Sequence, residues 1–458
     1  MELEDIQHIV AKQQAAPVPS IEQRIDLLRR LKSMLIDHEQ AWLEALQEDL
    51  GKPMFEAFTT EIAVLLNEID HVIRQLPSWS KSRSSRHLKL GYIERIRKTR
   101  EPYGSVLIIS PWNYPLQLAL MPAINAIAAG NRCVIKPSEY TPSTGRLLET
   151  MMNQYVDHDL IAIVNGGAKL AKQLTSMSFD CIFFTGSGEV GKAVLRQAAN
   201  QLTPVLLELG GKNPCLIDET GFSKAALQHI VWGKFLNAGQ TCIAPDTLFV
   251  HASVYEQVLR EIPSILKAYY GVDASCSQDY GRIGHPAHYR KLCGYLSQGK
   301  VWHGGQASEK DLYIEPTVLI NLEPGAAIWQ EEIFGPILPV VPYSSFEQVV
   351  AEGWLQRDAL VAYLFSRSKS NQARLQEYVK STVLSVNQVL HHATHPAISF
   401  GGIGSSGLGA YHGKAGFDSF SYEQATYEAK HYLPISKKFP PYAEKDRLLL
   451  KKWRKWLL

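Results

Sequence analysis

The sequence contains few cysteines, almost no excess charge and no long apolar run. Its 458 residues include six cysteines and no C-x-x-C pair, which predicts free thiols in a reducing cytoplasm and not a disulfide framework. The formal net charge of +2 gives no indication of a nucleic-acid partner. No segment approaches the roughly 18 apolar residues of a membrane-spanning helix, and the acidic start "MELEDIQ" lacks the apolar core of a signal peptide. These absences predict a cytoplasmic globular protein of two or three domains.

The order of the apolar segments predicts an α/β fold. A helical stretch opens at Ser20 and Gln23, which have capping-box spacing, and closes at Gly51. From Gly104, short apolar strands alternate with helices, which predicts a doubly wound parallel sheet. We expect a second α/β set to begin after Pro204 and to run to about His395.

Two segments fall outside this alternation. Residues 83–100 alternate charged with apolar or small residues, which indicates either a projecting hairpin or a solvated edge. The tail, residues 444–458, is basic, and a helical period places four apolar side chains on one face: Leu449, Trp453, Trp456 and Leu457.

The stretch "CIFFTGSGEVGKAV" fits the pattern G-x-G-x-x-G at Gly186, Gly188 and Gly191. A dinucleotide fingerprint of this kind expects an acidic residue about 20 positions later to hold the ribose, and Glu208 stands near that position. A second interpretation is open, because Glu208 also ends an apolar strand, where general bases of α/β sites are usually found.

Two further segments place reactive groups beside small or rigid residues. In "NAGQTC", Cys242 follows a helix end and a glycine turn, where a thiol is open to a substrate. A buried structural cysteine is the plainer alternative. In "SPWNYP", two prolines fix a loop that carries Asn113, whose amide suits an oxyanion or serves only the turn.

The ordered set PWN, KPSE, FTGS, LELGGK, GQTC and EIFGP resembles the NAD(P)-dependent aldehyde dehydrogenase superfamily over residues 20–430. The short N-terminus and the segments "GQTCIAPD" and "VNQVLHH" are similar to its class 3 branch. The resemblance implies that Cys242 is the nucleophile and that Glu208 is the base that activates water. It also implies that Asn113 and the Cys242 amide hold the oxyanion, and that NAD accepts a hydride.

The same resemblance assigns the cofactor residues. Lys136 and Glu139 would hold the adenosine ribose, so Glu208 is not needed there. A carboxylate at the 2′-hydroxyl favours NAD over NADP, although class 3 relatives often use both. The other implied cofactor contacts are Trp112, Thr185, Gly186, Ser187, Gly191, Glu332 and Phe334. Gly188 would complete the glycine pattern by accident, because the family carries a threonine there.

Substrate contacts and architecture follow from the same source. Tyr114, His392 and Phe400, together with Trp112, are expected around an aromatic entrance for medium or long aliphatic or aromatic aldehydes. No metal site is predicted, since "HHATH" stands without clustered partners. The implied boundaries are a Rossmann-like cofactor domain (1–82 and 101–205), an oligomerisation arm (83–100 with part of 410–435), a catalytic domain (206–396), a return segment (397–443) and the tail (444–458).

The class 3 resemblance also bears on the assembly of the protein and on the competing functions. We expect a homodimer built through the arm, and a tail that caps the substrate entrance, with contact to anionic lipid as the second interpretation. The competing functions are a CoA-acylating dehydrogenase, a cofactor-free cysteine hydrolase, and a binding protein on an inactive scaffold. The retention of Glu208 together with Cys242 and Asn113 favours the hydrolytic dehydrogenase.

Overall fold

The computed structural model describes residues 2–89, 92–355, 358–431, 440–441 and 443–452. Within these ranges the α-helices are α1 (Leu3–Ala15), α2 (Ile21–Asp37), α3 (Glu39–Leu50), α4 (Met54–Ala57), α5 (Ala63–Trp79), α6 (Gln117–Ala129), α7 (Pro142–Tyr155), α8 (Ala168–Thr175), α9 (Gly188–Ala199), α10 (Lys224–Phe235), α11 (Ala252–Tyr270), α12 (Pro286–Leu296), α13 (Phe346–Ala351), α14 (Lys369–Tyr378), α15 (Gly413–Ser419) and α16 (Glu444–Lys452).

The strands of the described ranges form two large sheets and three small ones. They are β1 (Arg83–Lys89), β2 (Tyr92–Pro102), β3 (Ser105–Ile109), β4 (Arg132–Lys136), β5 (Ile161–Ile163), β6 (Cys181–Gly186), β7 (Val205–Leu209), β8 (Pro214–Ile217), β9 (Thr247–His251), β10 (Lys300–His303), β11 (Ala307–Ser308), β12 (Tyr313–Ile314), β13 (Thr317–Ile320), β14 (Ile337–Tyr343), β15 (Val361–Phe365), β16 (Val383–Val386), β17 (Phe400–Gly401), β18 (Gly407–Leu408), β19 (Ala410–Tyr411) and β20 (Ser421–His431).

The first large sheet has the strand order β18-β7-β6-β3-β4-β5. All its neighbours are parallel except the short strand β18, which runs antiparallel to β7. The predicted doubly wound parallel sheet is therefore confirmed. The prediction that a second α/β set begins after Pro204 is wrong by one strand. Strand β7 pairs with β6 and completes the first sheet. The chain changes sheets one step later, through Gly210–Asn213.

The second large sheet has the order β10-β13-β14-β9-β8-β15-β16 and is parallel except at its edge strand β10. One apolar core joins the two sheets, since it contains Ile108 and Phe183 from the first and Leu248 and Val340 from the second. Separate clusters cover the opposite faces of the first and second sheets. A polar group on the shared side is therefore shielded by both halves of the chain.

A three-stranded antiparallel sheet, β1-β2-β20, contains the segment predicted as a hairpin. Strand β20 pairs along the whole length of β2, from Pro102 opposite Ser421 to Tyr92 opposite His431. The hairpin interpretation is therefore the correct one for residues 83–100, and residues 421–431 supply the third strand.

The start of α2 agrees with the sequence prediction, whereas the tail lies partly outside the described residues. The capping box of Ser20 and Gln23 starts α2 as predicted, but His38 separates α2 from α3. In the tail, α16 is described, whereas Trp453, Trp456 and Leu457 and the side chain of Leu449 lie outside the described residues. None of the helices in the described part of the chain has the length and apolar character needed to traverse a bilayer.

Candidate active site

Three polar side chains form a row where neighbouring strands of the first sheet end. Thr185 on β6 is in register with Glu208 on β7, and Ser110 follows β3 on the other side of β6. Side chains two residues apart share a sheet face, so the row continues the core-facing positions Ile108, Phe183 and Leu206. Among the described residues, Ser110 Oγ, Thr185 Oγ1 and both oxygens of Glu208 are buried without a hydrogen-bond partner. Buried polar atoms of this kind need a ligand or ordered water.

Glu208 is a buried carboxylate held beside a thiol. Its side chain is 2% exposed. Burial raises the pKa of Glu208 to about 8, the Cys242 thiol facing it lowers that pKa, and Glu332 raises it. The thiol and the carboxylate do not complete a hydrogen bond in this arrangement. A carboxyl group with a pKa near neutrality is suited to accept a proton during a reaction.

Cys242 lies on a loop whose backbone is strained into an unusual path. Asn237 and Ala238 have φ angles of 53° and 51°, and Gly239 has no room for a side chain, because a Cβ would lie 2.3 Å from the Gly335 oxygen. Asn213 Nδ2 fixes the loop by donating 2.7 Å to the Cys242 carbonyl. The side chain of Cys242 is partly exposed, and burial, followed by Glu208 and Glu332, raises its pKa well above the ordinary value. The resting thiol is therefore protonated.

Asn113 is anchored to the same loop. Its Nδ2 donates 3.0 Å to the Gln240 carbonyl, and its own carbonyl accepts from Asn237 Nδ2 at 2.8 Å. An amide nitrogen carries two N–H groups, so one remains for a ligand. Sequence reasoning placed Asn113, Cys242 and Glu208 in one site, and the folded chain brings these three together.

A buried ion pair supports Asn113, and sequence reasoning missed it. Lys52 pairs with Glu61, both side chains being 0% exposed, and Lys52 Nζ donates 3.1 Å to the Asn113 carbonyl. Glu61 also accepts from the backbone amides of Leu116 and Gln117 at 2.9 and 3.0 Å. The pair therefore fixes the middle of the loop that follows β3 and the end of that loop at α6. A lysine after a helix-ending glycine gives no sequence signal of this role.

Glu332 reaches the site from the second sheet. Its Oε1 accepts from the Gly211 amide at 3.2 Å, and a Cβ on Gly210 would lie 1.8 Å from its Oε2. Burial raises the pKa of Glu332 to about 8, while the Gly211 amide lowers it. Asp246 holds the loop in place, since its Oδ2 accepts from the Ile333 amide at 2.9 Å.

Phe334 and Trp112 pack against each other next to this loop. Phe334 has a φ of 52°, its carbonyl accepts from His288 Nε2 at 2.7 Å, and its ring lies 5.6 Å from that of Trp112. Trp112 therefore belongs with the Glu332 side of the site and with the His285 ring, 5.3 Å away.

At two of the three glycine positions in the turn after β6, a side chain would clash with a neighbouring residue. A Cβ on Gly186 would lie 2.6 Å from the Phe184 ring, and one on Gly191 would lie 2.7 Å from Leu209. Gly188 has open space, so packing does not require a glycine at the middle position of the pattern. The Ser187 side chain makes no capping hydrogen bond, which leaves the first amides of α9 for an anionic ligand such as a phosphate.

Lys136 and Glu139 lie at the end of β4. Lys136 is buried, and its Nζ donates 2.9 Å both to Glu139 Oε2 and to the Pro137 carbonyl. Partial burial raises the pKa of Glu139, but the hydrogen bond and charge of Lys136 together with hydrogen bonds from backbone amides outweigh it, and the net pKa is lowered. Glu139 is therefore a carboxylate at neutral pH, with part of its surface open to a ligand.

The expected substrate-side residues have different surroundings. Tyr114 is buried, and its hydroxyl shares a 2.6 Å hydrogen bond with that of Thr241, so it supports the Cys242 loop from behind. Phe400 is stacked on His412 at 5.2 Å. His392 is partly buried, with Nδ1 unpartnered among the described residues.

Removal of the buried ammonium is expected to destabilise the protein and to displace Asn113. Breaking a buried pair by removing one partner typically costs about 3–5 kcal/mol, so Lys52→Met should lower the free energy of unfolding by that amount.

Comparison with known proteins gives one consistent result. The profile of the "Aldehyde dehydrogenase family" matches residues 4–426. A 4,4'-diapolycopene-4,4'-dial dehydrogenase of Cytobacillus firmus is 58% identical over 414 residues, covering 90% of this chain and 91% of that protein. The dimeric NADP-preferring aldehyde dehydrogenase of Rattus norvegicus is 38% identical over 406 residues, covering 89% and 90%. The substrate-bound structure of Staphylococcus aureus AldH has a TM-score of 0.93 and 37% identity, covering 99% of this chain and 100% of that one.

Proposed function

The chain belongs to the aldehyde dehydrogenase family and is an enzyme that uses NAD or NADP; we propose that it oxidises long apolar aldehydes through a thioester on Cys242. The observation that carries the proposal is the meeting of three groups in one buried site: the partly exposed Cys242 thiol, the unpartnered Glu208 carboxylate and the free N–H of Asn113. A nucleophile, a base and an oxyanion donor are the parts that acyl transfer needs.

The first half of the reaction uses Cys242 and Asn113. The thiol adds to the aldehyde carbonyl, and its proton is taken by Glu208, whose position opposite the sulfur supports this role. The oxyanion of the tetrahedral adduct accepts hydrogen bonds from Asn113 Nδ2 and the Cys242 amide. Loss of one such donor typically costs ~10²–10³ in rate.

The second half uses Glu208. Bound NAD or NADP supplies a nicotinamide ring that accepts a hydride, after which the acyl group remains on Cys242 as a thioester. Once Glu208 has released the thiol proton, it takes a proton from a water molecule, whose oxygen attacks the thioester carbonyl. The C–S bond then breaks, the acid leaves as a carboxylate, and the Cys242 thiolate regains a proton. The unpartnered hydroxyls of Ser110 and Thr185 and the open amides of α9 suit a dinucleotide on this edge of the sheet. Glu332, Phe334 and Trp112 are proposed to hold its nicotinamide end.

The substrate class is proposed from the apolar walls and from one relative. Phe400 and Tyr411 are buried aromatic rings near Glu208, and Leu390 and Tyr363 are buried beside His392. The relative with 58% identity is named for a diapolycopene dialdehyde. We therefore propose that extended apolar aldehydes, aliphatic, aromatic or polyene, are the substrates.

An aldehyde panel tests this substrate class. NADH formation should be measured with short and long aliphatic aldehydes, an aromatic aldehyde and a linear terpenoid dialdehyde delivered in detergent micelles. We expect kcat/KM to rise with apolar length, since each buried CH₂ contributes about 0.8 kcal/mol. A constant or falling kcat/KM from C4 to C12 would refute the proposal for long substrates while leaving the thioester chemistry intact.

Cofactor preference depends on Glu139. We propose that NAD is preferred, because the Glu139 carboxylate, held by Lys136, accepts from a 2′-hydroxyl and repels a 2′-phosphate. Glu139→Gln should reduce the NAD-over-NADP ratio of kcat/KM by about tenfold, since a charge pair at a partly exposed site amounts to about 1–2 kcal/mol. The matched control is Glu149→Gln, which removes the same charge from α7. A wild-type ratio at or below one, or an unchanged ratio in Glu139→Gln, would contradict the assignment.

The exposed side of the small antiparallel sheet is the surface through which we propose that the protein forms a dimer. The sheet β1-β2-β20 leaves Leu88 and Ile93 64% and 45% exposed at opposite positions of the hairpin. Exposed apolar pairs of this kind suit contact with another protein surface, which supports a dimer through the predicted arm. A cytoplasmic location and a capping role for the tail stay predictions.

A further inference from the structure

A line of buried polar groups without partners extends from Glu208 toward the surface. In the described part of the chain, the unpartnered side-chain atoms include both Glu208 oxygens, Tyr411 Oη, His412 Nε2 and His392 Nδ1. Four neighbouring residues with this defect are unusual, because buried polar atoms are nearly always hydrogen-bonded. Atoms of this kind are normally satisfied by internal water, so the line indicates a hydrated polar path.

Tyr411 is the first group after Glu208. Strand β18 places Gly407 opposite Glu208, and β19 brings the chain back against β17. The Tyr411 ring is fixed 4.9 Å from Phe183 and 5.7 Å from Phe400. Burial raises the pKa of Tyr411 well above its ordinary value, and the charges of Glu208 and Cys242 raise it further. The hydroxyl is therefore neutral, and both reacting groups lie close enough to act on it electrostatically.

Two histidines continue the line to the surface. The His412 ring lies 4.5 Å from that of Tyr411. Burial lowers the pKa of His412, and burial together with the charges of His412 and His391 lowers that of His392 to about 4. Both rings are neutral at pH 7 and hold one donor and one acceptor nitrogen each. His391, which follows next, is exposed and lies 5.6 Å from Trp232.

The proposed reaction releases protons at Glu208, and this line of polar groups offers them a route to the surface. Oxidation of one aldehyde by NAD and water yields a carboxylate, NADH and two protons, and Glu208 must discharge each proton that it takes. At 2% exposure it has no direct contact with bulk water. We propose that Tyr411, His412 and His392 conduct protons from Glu208 to the surface beside His391; this rests on the proposed role of Glu208 as the base.

The transfer involves protons only and balances at each position. Since none of these atoms is hydrogen-bonded to the next, each transfer passes through an internal water molecule: the Glu208 carboxyl gives its proton to Tyr411 Oη while Tyr411 gives its own to His412 Nε2, and His412 in turn gives one to His392 Nδ1. His392 then releases a proton to solvent beside His391. The titratable groups facing this line are Cys242 and Glu332 beside Glu208, Glu68 beside Tyr411 and His412, and His391 beside His392.

Stopped-flow kinetics of two variants test the proposal. Tyr411→Phe keeps the packed ring and removes the hydroxyl, and His392→Gln interrupts the outer end. Both should keep the first-turnover burst of NADH and lower steady-state kcat about tenfold or more, with an increased solvent deuterium isotope effect and unchanged KM. Proton release, followed with an indicator dye, should lag behind NADH, and imidazole should restore part of the rate of His392→Gln. His395→Gln, an exposed histidine of the same loop, is the control and should match the wild type.

The contrary outcomes separate the relay from the chemistry on which it rests. A wild-type kcat in both variants would overturn the relay, as would a raised KM with unchanged kcat, which would mean that the groups only line the substrate site. If Tyr411→Phe also loses the burst, His392→Gln decides, because it lies farther from Cys242. If Glu208→Gln retains the wild-type kcat, the assignment of the base fails, and the relay fails with it.

Discussion

Cys242→Ala is expected to form no NADH with any aldehyde, a loss of at least ~10⁴-fold in kcat, as for removal of a catalytic nucleophile elsewhere. Cys242 is the thiol beside Glu208, and a thiol is a far better nucleophile at neutral pH than the neighbouring hydroxyls of Ser110 and Thr185. NADH absorbance is the assay. Cys293→Ala is the matched control, because Cys293 is also a partly exposed free thiol and lies on α12, outside the site.

Glu208→Gln is expected to separate the two halves of the same reaction. The variant should give up to one equivalent of NADH per site, formed more slowly than in the wild type because Glu208 also takes the thiol proton, and then stall, with steady-state kcat lowered by ~10²–10⁴, the usual contribution of a general base. Hydride transfer precedes hydrolysis, so the acyl group should accumulate on Cys242. Mass spectrometry of the quenched protein should then detect one acyl group on the peptide that contains Cys242.

The pH dependence follows from the raised pKa of Glu208, which lies at about 8. Only the carboxylate form can take a proton, so its fraction grows as pH increases through that value. Steady-state kcat should rise from pH 6 toward a plateau above about pH 9, and Glu208→Gln should remove the rise. A wild-type kcat that stays constant from pH 6 to about pH 9 would contradict this role of Glu208.

Lys52→Met is expected to cause the largest loss of stability, about 3–5 kcal/mol, because it leaves the Glu61 charge buried without its partner. The Asn113 carbonyl also loses a donor, so kcat should fall together with the unfolding midpoint in urea. Lys52→Met with Glu61→Leu should recover only part of the stability, since the amides of Leu116 and Gln117 would then lack an acceptor.

The control for this effect is a pair of the same chemistry at the surface. Lys32 Nζ lies 2.6 Å from Asp70 Oδ1, with the side chains 33% and 45% exposed. An exposed pair contributes about 0–1 kcal/mol, so Lys32→Met should shift the midpoint far less. Equal shifts in Lys32→Met and Lys52→Met would show that the buried pair has no special role.

The parts of the site that could be read from the sequence are those carried by short motifs at the ends of strands and helices. Cys242, Glu208 and Asn113 stand in such motifs, and the folded chain assembles them. Their roles remain predictions until the variants are measured. The alternation of strands and helices also predicted the first sheet, because buried parallel strands are apolar on both faces.

Other features depend on contacts that no local pattern encodes. Strand β7 has the composition of either sheet, and only its pairing with β6 assigns it to the first. Lys52 lies in the loop after α3, and Glu61 lies nine residues later in the helical turn Phe58–Ile62; each alone is typical of a solvated surface. Tyr411 and His412 follow a run of glycines, and their relevance rests on atoms that stay unpartnered after folding.

The short connection between β7 and β8 limits which changes of sequence this enzyme can tolerate. Gly210, Gly211, Lys212 and Asn213 are all that separates Glu208's strand from β8. Gly210 leaves room for Glu332, Gly211 donates to it, Lys212 pairs with Asp246, and Asn213 holds the Cys242 carbonyl. An insertion or deletion here would pull the base away from the thiol. New substrate ranges must therefore evolve by altering the loops around Leu390 and Phe400, and the crossing should tolerate almost no variation in length.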